Sequence, residues 1–413
     1  MNMISEVELK TWSPLIKDGL LKDKIRKILE DFSVRLMEHK HTDNGAFTGD
    51  AGISLYFAYM AVFFQNEVYR DKSIALIDSS LDSTVNPELH YTDTTGILWA
   101  FKHLVDIGII EANIDEFMDD EMEMQIIDRS IADLKIGHYD YLYGGISPVP
   151  YLLERRNKKI ISAKFPEIIS ALIASADRNE NGISWQNKFL IPKDIKVDGK
   201  LFNLGIAHGI PAIIIILSEL VKAGVKPDKT SMLLTESISW ILNLKGKDSD
   251  PFLFATHHPK QGRYSRLAWC YGDLSIAITL LRAALNTGND EWLNKAIEIG
   301  LHSAKRMEYT TTIILDTEFC HGSIGVAHIF NRFYHYTHKK EFKTAALFWY
   351  EQTLEIASKM GHFKMYKKLI DEKEKPDWHD TDSLLEGIAG IGLGLMAAIS
   401  DVEPKWDKLL LLS

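Results

Sequence analysis

Residues 268–276 read AWCYGDLSI, and this stretch contains the pattern on which the chain is built. Gly272 directly precedes an apolar run that extends to Leu285. Ser275, the fourth residue counted from Gly272, is small. A small residue in the first turn of a helix allows another backbone to approach closely. The stretch therefore predicts a helix that begins at Gly272 and is packed tightly at its start.

The same four-residue pattern occurs seven times along the chain. Its fourth position is always Gly, Ala or Ser, and the intervals between repeats are roughly 45–65 residues, long enough for one helical hairpin each. In chain order, the repeats begin at Gly49, Asp93, Gly144, Gly209, Gly272, Gly322 and Gly387.

Amphipathic stretches between the repeats, such as residues 230–244 and 290–307, predict a second layer of helices outside the first. Two architectures fit this alternation: an open helical solenoid or a closed ring. The residues whose side chains could bind a metal or take part in catalysis lie directly before the starts of the repeat helices. This position favours a ring with one functional face. We therefore predict an all-α fold with seven inner and seven outer helices.

The chain contains no low-complexity linker, so one domain over residues 1–413 is expected. Residues 181–200 could form a small β insertion, because they contain GISW at 182–185 and IKVDG at 195–199. Residues 249–266 contain two prolines and a glycine and predict a long loop.

Composition excludes several classes of protein. The formal net charge is -10, with both signs mixed along the chain, which argues against nucleic-acid binding and gives no polybasic membrane anchor. Residues 1–20 contain three acidic residues and no apolar core, unlike a secretory signal. The apolar run at 210–217 is too short to span a bilayer. With only two cysteines, we expect a cytoplasmic protein with reduced thiols.

The two cysteines and a histidine suggest a metal site. Cys270 and Cys320 each lie two positions before the first glycine of a repeat, and His321 follows Cys320. A ring of repeats would bring such equivalent positions together. Thiolate and imidazole are ligands that zinc prefers, and three protein ligands with one open position are typical of a catalytic zinc. The alternative is two buried structural cysteines and a surface histidine.

Two further residues could move protons or orient a base. His208 directly precedes Gly209, as His321 precedes its glycine, and a neutral imidazole there could transfer protons near pH 7. Asp140 lies four residues before Gly144 and could orient a base or stabilise charge. A capping histidine and an ordinary loop carboxylate are the alternatives.

Arg266 and Tyr271 flank Cys270 in sequence. An arginine at this place could stabilise an anionic intermediate, although a surface ion pair is the alternative. His257 and His258 are adjacent and are not included in the predicted site, because adjacent side chains more often point apart than share a metal.

Three motifs together resemble the lanthionine synthetase C-like proteins, the cyclases of lanthipeptide biosynthesis. They are RLAWCYG at 266–272, FCHG at 319–322 and NLGIAHGIP at 203–211. The seven repeats extend the resemblance over nearly the whole chain, because they fit the α,α-toroid of that family. The fold class that the resemblance implies is therefore an all-α, α,α-toroid.

The resemblance implies one Zn²⁺ per chain, held by Cys270, Cys320 and His321. The open position of the zinc would bind a cysteine thiol of a dehydrated lanthipeptide precursor. Zinc lowers the pKa of a bound thiol, so that a thiolate is available at neutral pH. The thiolate adds to the β-carbon of dehydroalanine or dehydrobutyrine, which closes a thioether ring.

The resemblance also assigns roles to the remaining candidates. His208 matches the acid/base histidine of the family and Asp140 its catalytic carboxylate. Arg266 and Tyr271 match residues that line the site. Which of His208 and Asp140 delivers the proton stays open.

The length of 413 residues leaves no room for a dehydratase domain, so the resemblance implies a stand-alone cyclase. Its partners would be a separate dehydratase and could include an exporter, with the protein peripheral to the membrane through that complex. Two other functions stay open: addition of glutathione or another small thiol to dehydroamino acids, and a non-catalytic, zinc-containing peptide-binding scaffold.

Overall fold

The structure is a computed structural model that describes residues 12–41, 43–84, 89–191, 199–260, 265–363, 365–366, 378–379 and 381–413. Its described part divides into two compact units. Among the described residues, unit 1 contains residues 113–312 and 409–413, and unit 2 contains residues 12–112 and 313–408. The expectation of one domain over residues 1–413 stays a prediction.

Helices dominate the described residues. In chain order they are α1 (Leu20–Met37), α2 (Asp50–Phe64), α3 (Glu67–Ser83), α4 (Tyr91–Asp106), α5 (Asp120–Ile136), α6 (Val149–Glu154), α7 (Lys159–Ser162), α8 (Phe165–Ser175), α9 (Ile210–Lys222), α10 (Pro227–Leu242), α11 (Asp273–Thr287), α12 (Asp290–Ala304), α13 (Tyr309–Thr312), α14 (Ser323–Thr337), α15 (Lys340–Met360) and α16 (Ile388–Ile399), with 3₁₀ turns at Ile114–Glu116 and Lys405–Leu410. None of the described helices is both long enough and apolar enough to cross a membrane.

The strands are short and form antiparallel pairs. Strand β1 (Asp177–Asn179) pairs with β2 (Gly182–Ser184), β3 (Phe202–Asn203) with β4 (His257–His258), and β5 (Met365–Tyr366) with β6 (Trp378–His379). The expected β insertion at 181–200 thus contains β2 and begins just after β1. Residues 192–198 of that segment lie outside the described residues.

In unit 2, the repeat helices form the buried layer. Residues 50–61 of α2 and all residues of α16 are buried, as their uniformly apolar sequences require. Helix α14 packs on α16, α16 on α2, and α2 on α4. Three helices with buried and exposed faces cover this layer, with α3 on α2, α15 on α14, and α1 on α16.

Unit 1 repeats this arrangement. The repeat helices α6, α9 and α11 pack in that order, with α10 on α9 and α12 on α11. The stretches at 230–244 and 290–307 are helical with one buried face, so the expected outer layer is present in both cases.

Five of the seven repeat helices begin at the residue after the first glycine. The second repeat differs, because α4 begins at Tyr91, where the His90 imidazole accepts the N–H of Thr92 and caps the helix. The third differs in the other direction: α6 begins only at Val149, after Pro148, which has no N–H to donate.

The tight packing at the helix starts comes from the residues that precede each helix. We call the seven residues that end at the first position of a repeat its lead-in loop. An added Cβ at that position would lie 2.1–2.5 Å from the backbone oxygen six residues earlier in four repeats, those that begin at Gly49, Gly209, Gly272 and Gly387. Each of these lead-in loops therefore folds back onto the start of its own helix.

The fourth position shows the same closure where it is glycine. An added Cβ would lie 1.8 Å from the Leu384 oxygen at Gly390 and 1.9 Å from the Phe319 oxygen at Gly325. The sequence predicted close approach here, but the partner is the preceding loop of the same repeat, six residues away. Gly96 is the exception, because an added Cβ there would lie 3.2 Å from the Ala46 Cβ, which belongs to the lead-in loop of the first repeat.

Gly390→Ala and Gly96→Ala place the same methyl group at the same position of two repeats in unit 2. We expect Gly390→Ala to lower the free energy of unfolding by at least about 1–3 kcal/mol, because the backbone oxygen of Leu384 must move. Gly96→Ala should change it by less than about 1 kcal/mol, since helix propensity offsets a mild contact. Urea denaturation of both variants measures the difference, and equal effects would contradict the role assigned to the loop.

Candidate active site

His208 and Asp140 form a hydrogen-bonded pair within unit 1. The Nδ1 atom of His208 lies 2.8 Å from Oδ2 of Asp140. The other carboxylate oxygen, Oδ1, accepts the N–H groups of Leu142 and Tyr143 at 2.8 and 2.9 Å. Asp140 is buried, and both of its carboxylate oxygens are engaged in hydrogen bonds, so it orients the imidazole of His208. An N–H at Nδ1 leaves Nε2 as the nitrogen available for proton transfer.

Both residues owe their positions to lead-in loops. Asp140 lies in the loop 138–144, which is closed by hydrogen bonds from the Gly144 and Gly145 N–H groups to the oxygens of Asp140 and His138. His208 is the last residue before Gly209, where α9 begins. The pairing joins two consecutive repeats, and the catalytic roles of both residues stay predictions.

A pocket surrounds the pair. The ring of Tyr143 stacks over His208 with centroids 5.9 Å apart. Burial raises the pKa of Tyr139, so its hydroxyl stays protonated and donates to the oxygen of Trp185 at 3.0 Å. The described residues that line the pocket are Gly137, His138, Tyr139, Asp140, Asn187, Phe189, Leu190 and His208.

Tyr271 is held by two residues that the sequence analysis did not include. The Asn203 amide donates to the Tyr271 hydroxyl at 2.9 Å and lies 3.3 Å from Nε2 of His257. His257 is buried, with its ring 5.8 Å from that of Tyr271. Strand pairing places Asn203 opposite His257, although 54 residues separate them.

Cys270 packs directly against the loop that carries His208. An added Cβ at Gly205 would lie 2.1 Å from the Cys270 oxygen and 2.6 Å from the ring of Tyr271. Cys270 itself is buried. The structure thus brings together Cys270, Tyr271 and the loop 203–209 within unit 1.

Arg266 occupies the first position of the lead-in loop that ends at Gly272. It is half-buried, and the N–H of the next residue, Leu267, donates to the Thr312 oxygen at 2.9 Å. Its contribution to charge stabilisation stays a prediction.

Cys320 and His321 lie in unit 2, in the lead-in loop 316–322, where Glu318 organises them. The fully buried Glu318 carboxylate accepts the N–H groups of both Cys320 and His321 at 2.6 Å, and one of its oxygens lies 3.0 Å from Nδ1 of His321. Asp316, Glu318 and His321 make up a group that could hold a metal ion. A carboxylate beside one ring nitrogen is the usual way to orient a histidine that binds a metal through the other.

Glu318 is a further residue that the sequence analysis missed, and a signal for it existed. Glu318 and Asp140 both stand four residues before the first glycine of a repeat. Each carboxylate accepts the N–H groups of the residues two and three positions later. Alignment of the lead-in loops would therefore have predicted the role of Glu318 from that of Asp140.

The other aspartates at helix starts also have partners. Asp50 lies 3.1 Å from His39 and 2.8 Å from His41. Asp273 accepts a bond from the buried Arg306 at 3.1 Å.

The family model for lanthionine synthetase C-like proteins matches residues 18–411. The chain belongs to this family. A curated relative, the nisin biosynthesis protein NisC of Lactococcus lactis subsp. lactis, is 22% identical over an alignment of 357 residues that covers 78% of this chain and 82% of the relative.

A solved structure of nisin cyclase superimposes with a TM-score of 0.69 at 20% identity and covers 95% of this chain and 97% of its own. At this identity the likeness shows the fold alone. It confirms the fold-class prediction of an all-α, α,α-toroid with small β elements.

Glu318→Ala removes an acceptor from two N–H groups, whereas Glu318→Gln keeps one carbonyl acceptor. We expect the alanine variant to lose about 1–3 kcal/mol in free energy of unfolding and the glutamine variant to lose less. Denaturation should be followed in excess chelator, so that bound metal cannot contribute. Equal stability of Glu318→Ala and the unsubstituted protein would show that this carboxylate does not hold the loop.

Proposed function

We propose that the protein is a zinc-dependent lanthipeptide cyclase. Its substrate would be a precursor peptide that contains cysteine and dehydroalanine or dehydrobutyrine, and its product a lanthionine or methyllanthionine thioether ring. The observation that carries this proposal is the match of residues 18–411 to the family of these cyclases.

The donor set supports zinc as the cofactor. The ligands we propose are Cys270, Cys320 and His321, the two cysteines of the chain and the histidine that follows the second one. Two thiols and one imidazole are soft and borderline ligands that zinc prefers, and three such ligands leave one position for a substrate thiol. When bound, zinc supplies a Lewis acid that lowers the pKa of the peptide thiol.

The proposed reaction is an addition in which no atom is lost. The peptide sulfur forms a bond to the β-carbon, and the α-carbon takes up one proton. His208 would move that proton through Nε2, because Asp140 occupies its Nδ1. Asp140 has both oxygens engaged, which suits it to hold the imidazole rather than to reach the substrate.

Arg266 and Tyr271 would stabilise the enolate oxygen that forms before the α-carbon is protonated. Asn203 donates to the hydroxyl oxygen of Tyr271 and thereby helps to fix the position of this side chain beside Cys270. The dehydrated precursor implies a separate dehydratase as partner, and a cytoplasmic location with an exporter nearby belongs to the same proposal.

Metal content tests the ligand set. The purified protein, reconstituted with zinc and freed of excess metal, should hold about one zinc per chain, because three ligands are present. Cys320→Ala should lose most of it, as measured by elemental analysis. His41→Ala is the control, since the exposed His41 belongs to no metal-capable group among the described residues. Retention of zinc by Cys320→Ala would remove Cys320 from the site.

A synthetic peptide with one cysteine and one dehydroalanine tests the reaction. Cyclisation leaves the mass unchanged but removes the thiol, so alkylation followed by mass spectrometry measures it. We expect His208→Asn to slow ring closure by about 100- to 10,000-fold, the usual contribution of general acid–base catalysis.

His138→Asn is the matched control, because His138 lines the same pocket but bonds to neither carboxylate oxygen of Asp140 in the contacts described above. It should retain most of the rate. A chain that leaves this peptide unchanged while adding free glutathione to dehydroalanine would instead support the small-thiol function.

A further inference from the structure

Exposed apolar side chains concentrate around the pocket of unit 1. Five of the eleven large hydrophobic side chains that are exposed among the described residues lie in three short segments beside it, and each is 38–56% exposed. They are Ile136, Tyr143, Phe189, Leu190 and Ile191. Apolar surface that is gathered in one place, rather than scattered, usually marks a binding site.

This surface continues into the pocket that contains the proton-transfer pair. Phe189 and Leu190 line that pocket together with Asp140 and His208. The ring of Phe189 packs on His138 with centroids 4.6 Å apart. One wall of the pocket is therefore polar and reactive, and the other is apolar. We call the segment Phe189–Ile191 the apolar rim.

The rim is held in place by hydrogen bonds between its backbone and the side chain of Asn187. The Asn187 side chain donates to the Leu190 oxygen at 2.8 Å and accepts the Leu190 N–H at 3.3 Å. The Asn187 N–H in turn donates to the Leu201 oxygen at 2.7 Å. The apolar side chains are thus presented by an ordered turn, so their exposure is a feature of the folded protein.

We propose that the apolar rim binds an apolar side chain of the precursor peptide next to the dehydroamino acid that reacts. This inference rests on the proposed function. The α-carbon that receives a proton from His208 must come to the pocket, and its neighbours in the peptide are only about 3.8 Å away per residue. A flanking side chain is therefore brought against the rim.

The occupant would lie on the rim itself, because Phe189, Leu190 and Ile191 are each 38–48% exposed. The rim would give the cyclase a preference among rings according to the residues that flank each dehydroamino acid.

Two synthetic peptides test the inference: both contain cysteine and dehydroalanine, but one has Leu and the other Gln on both sides of the dehydroalanine. For the unsubstituted protein, we expect kcat/KM to favour the Leu peptide by roughly 10-fold, the size of a modest apolar contact. Phe189→Ser combined with Leu190→Ser should bring that ratio close to one.

Phe117→Ser is the control, since Phe117 is 53% exposed in the same unit and is not among the described residues that line the pocket. It should retain the ratio of the unsubstituted protein. Circular dichroism melts check that the exposed substitutions leave the fold intact. An unchanged ratio in the rim variant would overturn the inference.

A binding measurement distinguishes failure of this inference from failure of the proposed function. If neither peptide is cyclised, the cyclase proposal fails, and the rim is then judged by fluorescence anisotropy of the two labelled peptides. A tighter Kd for the Leu peptide that the rim variant loses supports the rim, and equal Kd values overturn it. If the rim variant instead changes only the oligomeric state in sedimentation, the surface is a contact between copies of the chain, which also overturns it.

Discussion

The fold-back of the lead-in loops that carry the candidate residues onto their own helices is the constraint on which the site depends. At Gly390 and Gly325 the gap between loop and helix admits a hydrogen atom and nothing larger. The loop is thereby pinned over the helix start, and its oxygens accept first-turn N–H groups that the helix itself cannot pair, such as that of Ser323, which donates to Asp316. The helix start thereby fixes the six loop residues that precede the first position of the repeat. Residues held in this way are suited to carry reactive side chains.

Every candidate residue of the site occupies one of these loops. Asp140 and Glu318 stand at the same place in different repeats and bond in the same way to the two residues that follow them by two and three positions. Cys270 and Cys320 share another place, and His208 and His321 a third. Under the proposed function, one loop geometry would serve two purposes in this chain, because different side chains at equivalent places would provide a proton-transfer pair in one set of loops and metal donors in another.

The repeat itself could be predicted from the sequence, because small residues and apolar runs are local signals. The partners of the site residues could not all be found that way. The contact between Asn203 and His257 depends on the pairing of two-residue strands, which have too little sequence to be recognised. The late start of α6 also escaped prediction, since the prolines at 148 and 150 can either begin a helix or interrupt one. Glu318 was within reach, but only through comparison of the loops with one another.

The ordered turn at Asn187 has a consequence for protein engineering. Because Asn187 and backbone atoms hold the turn, the side chains at 189–191 contribute little to its shape. Saturation libraries at these three positions should therefore yield folded proteins at high frequency. Positions 205 and 209 are the opposite case, since any side chain there would collide with backbone oxygens. A search for altered ring selectivity can vary the first set and leave the second untouched.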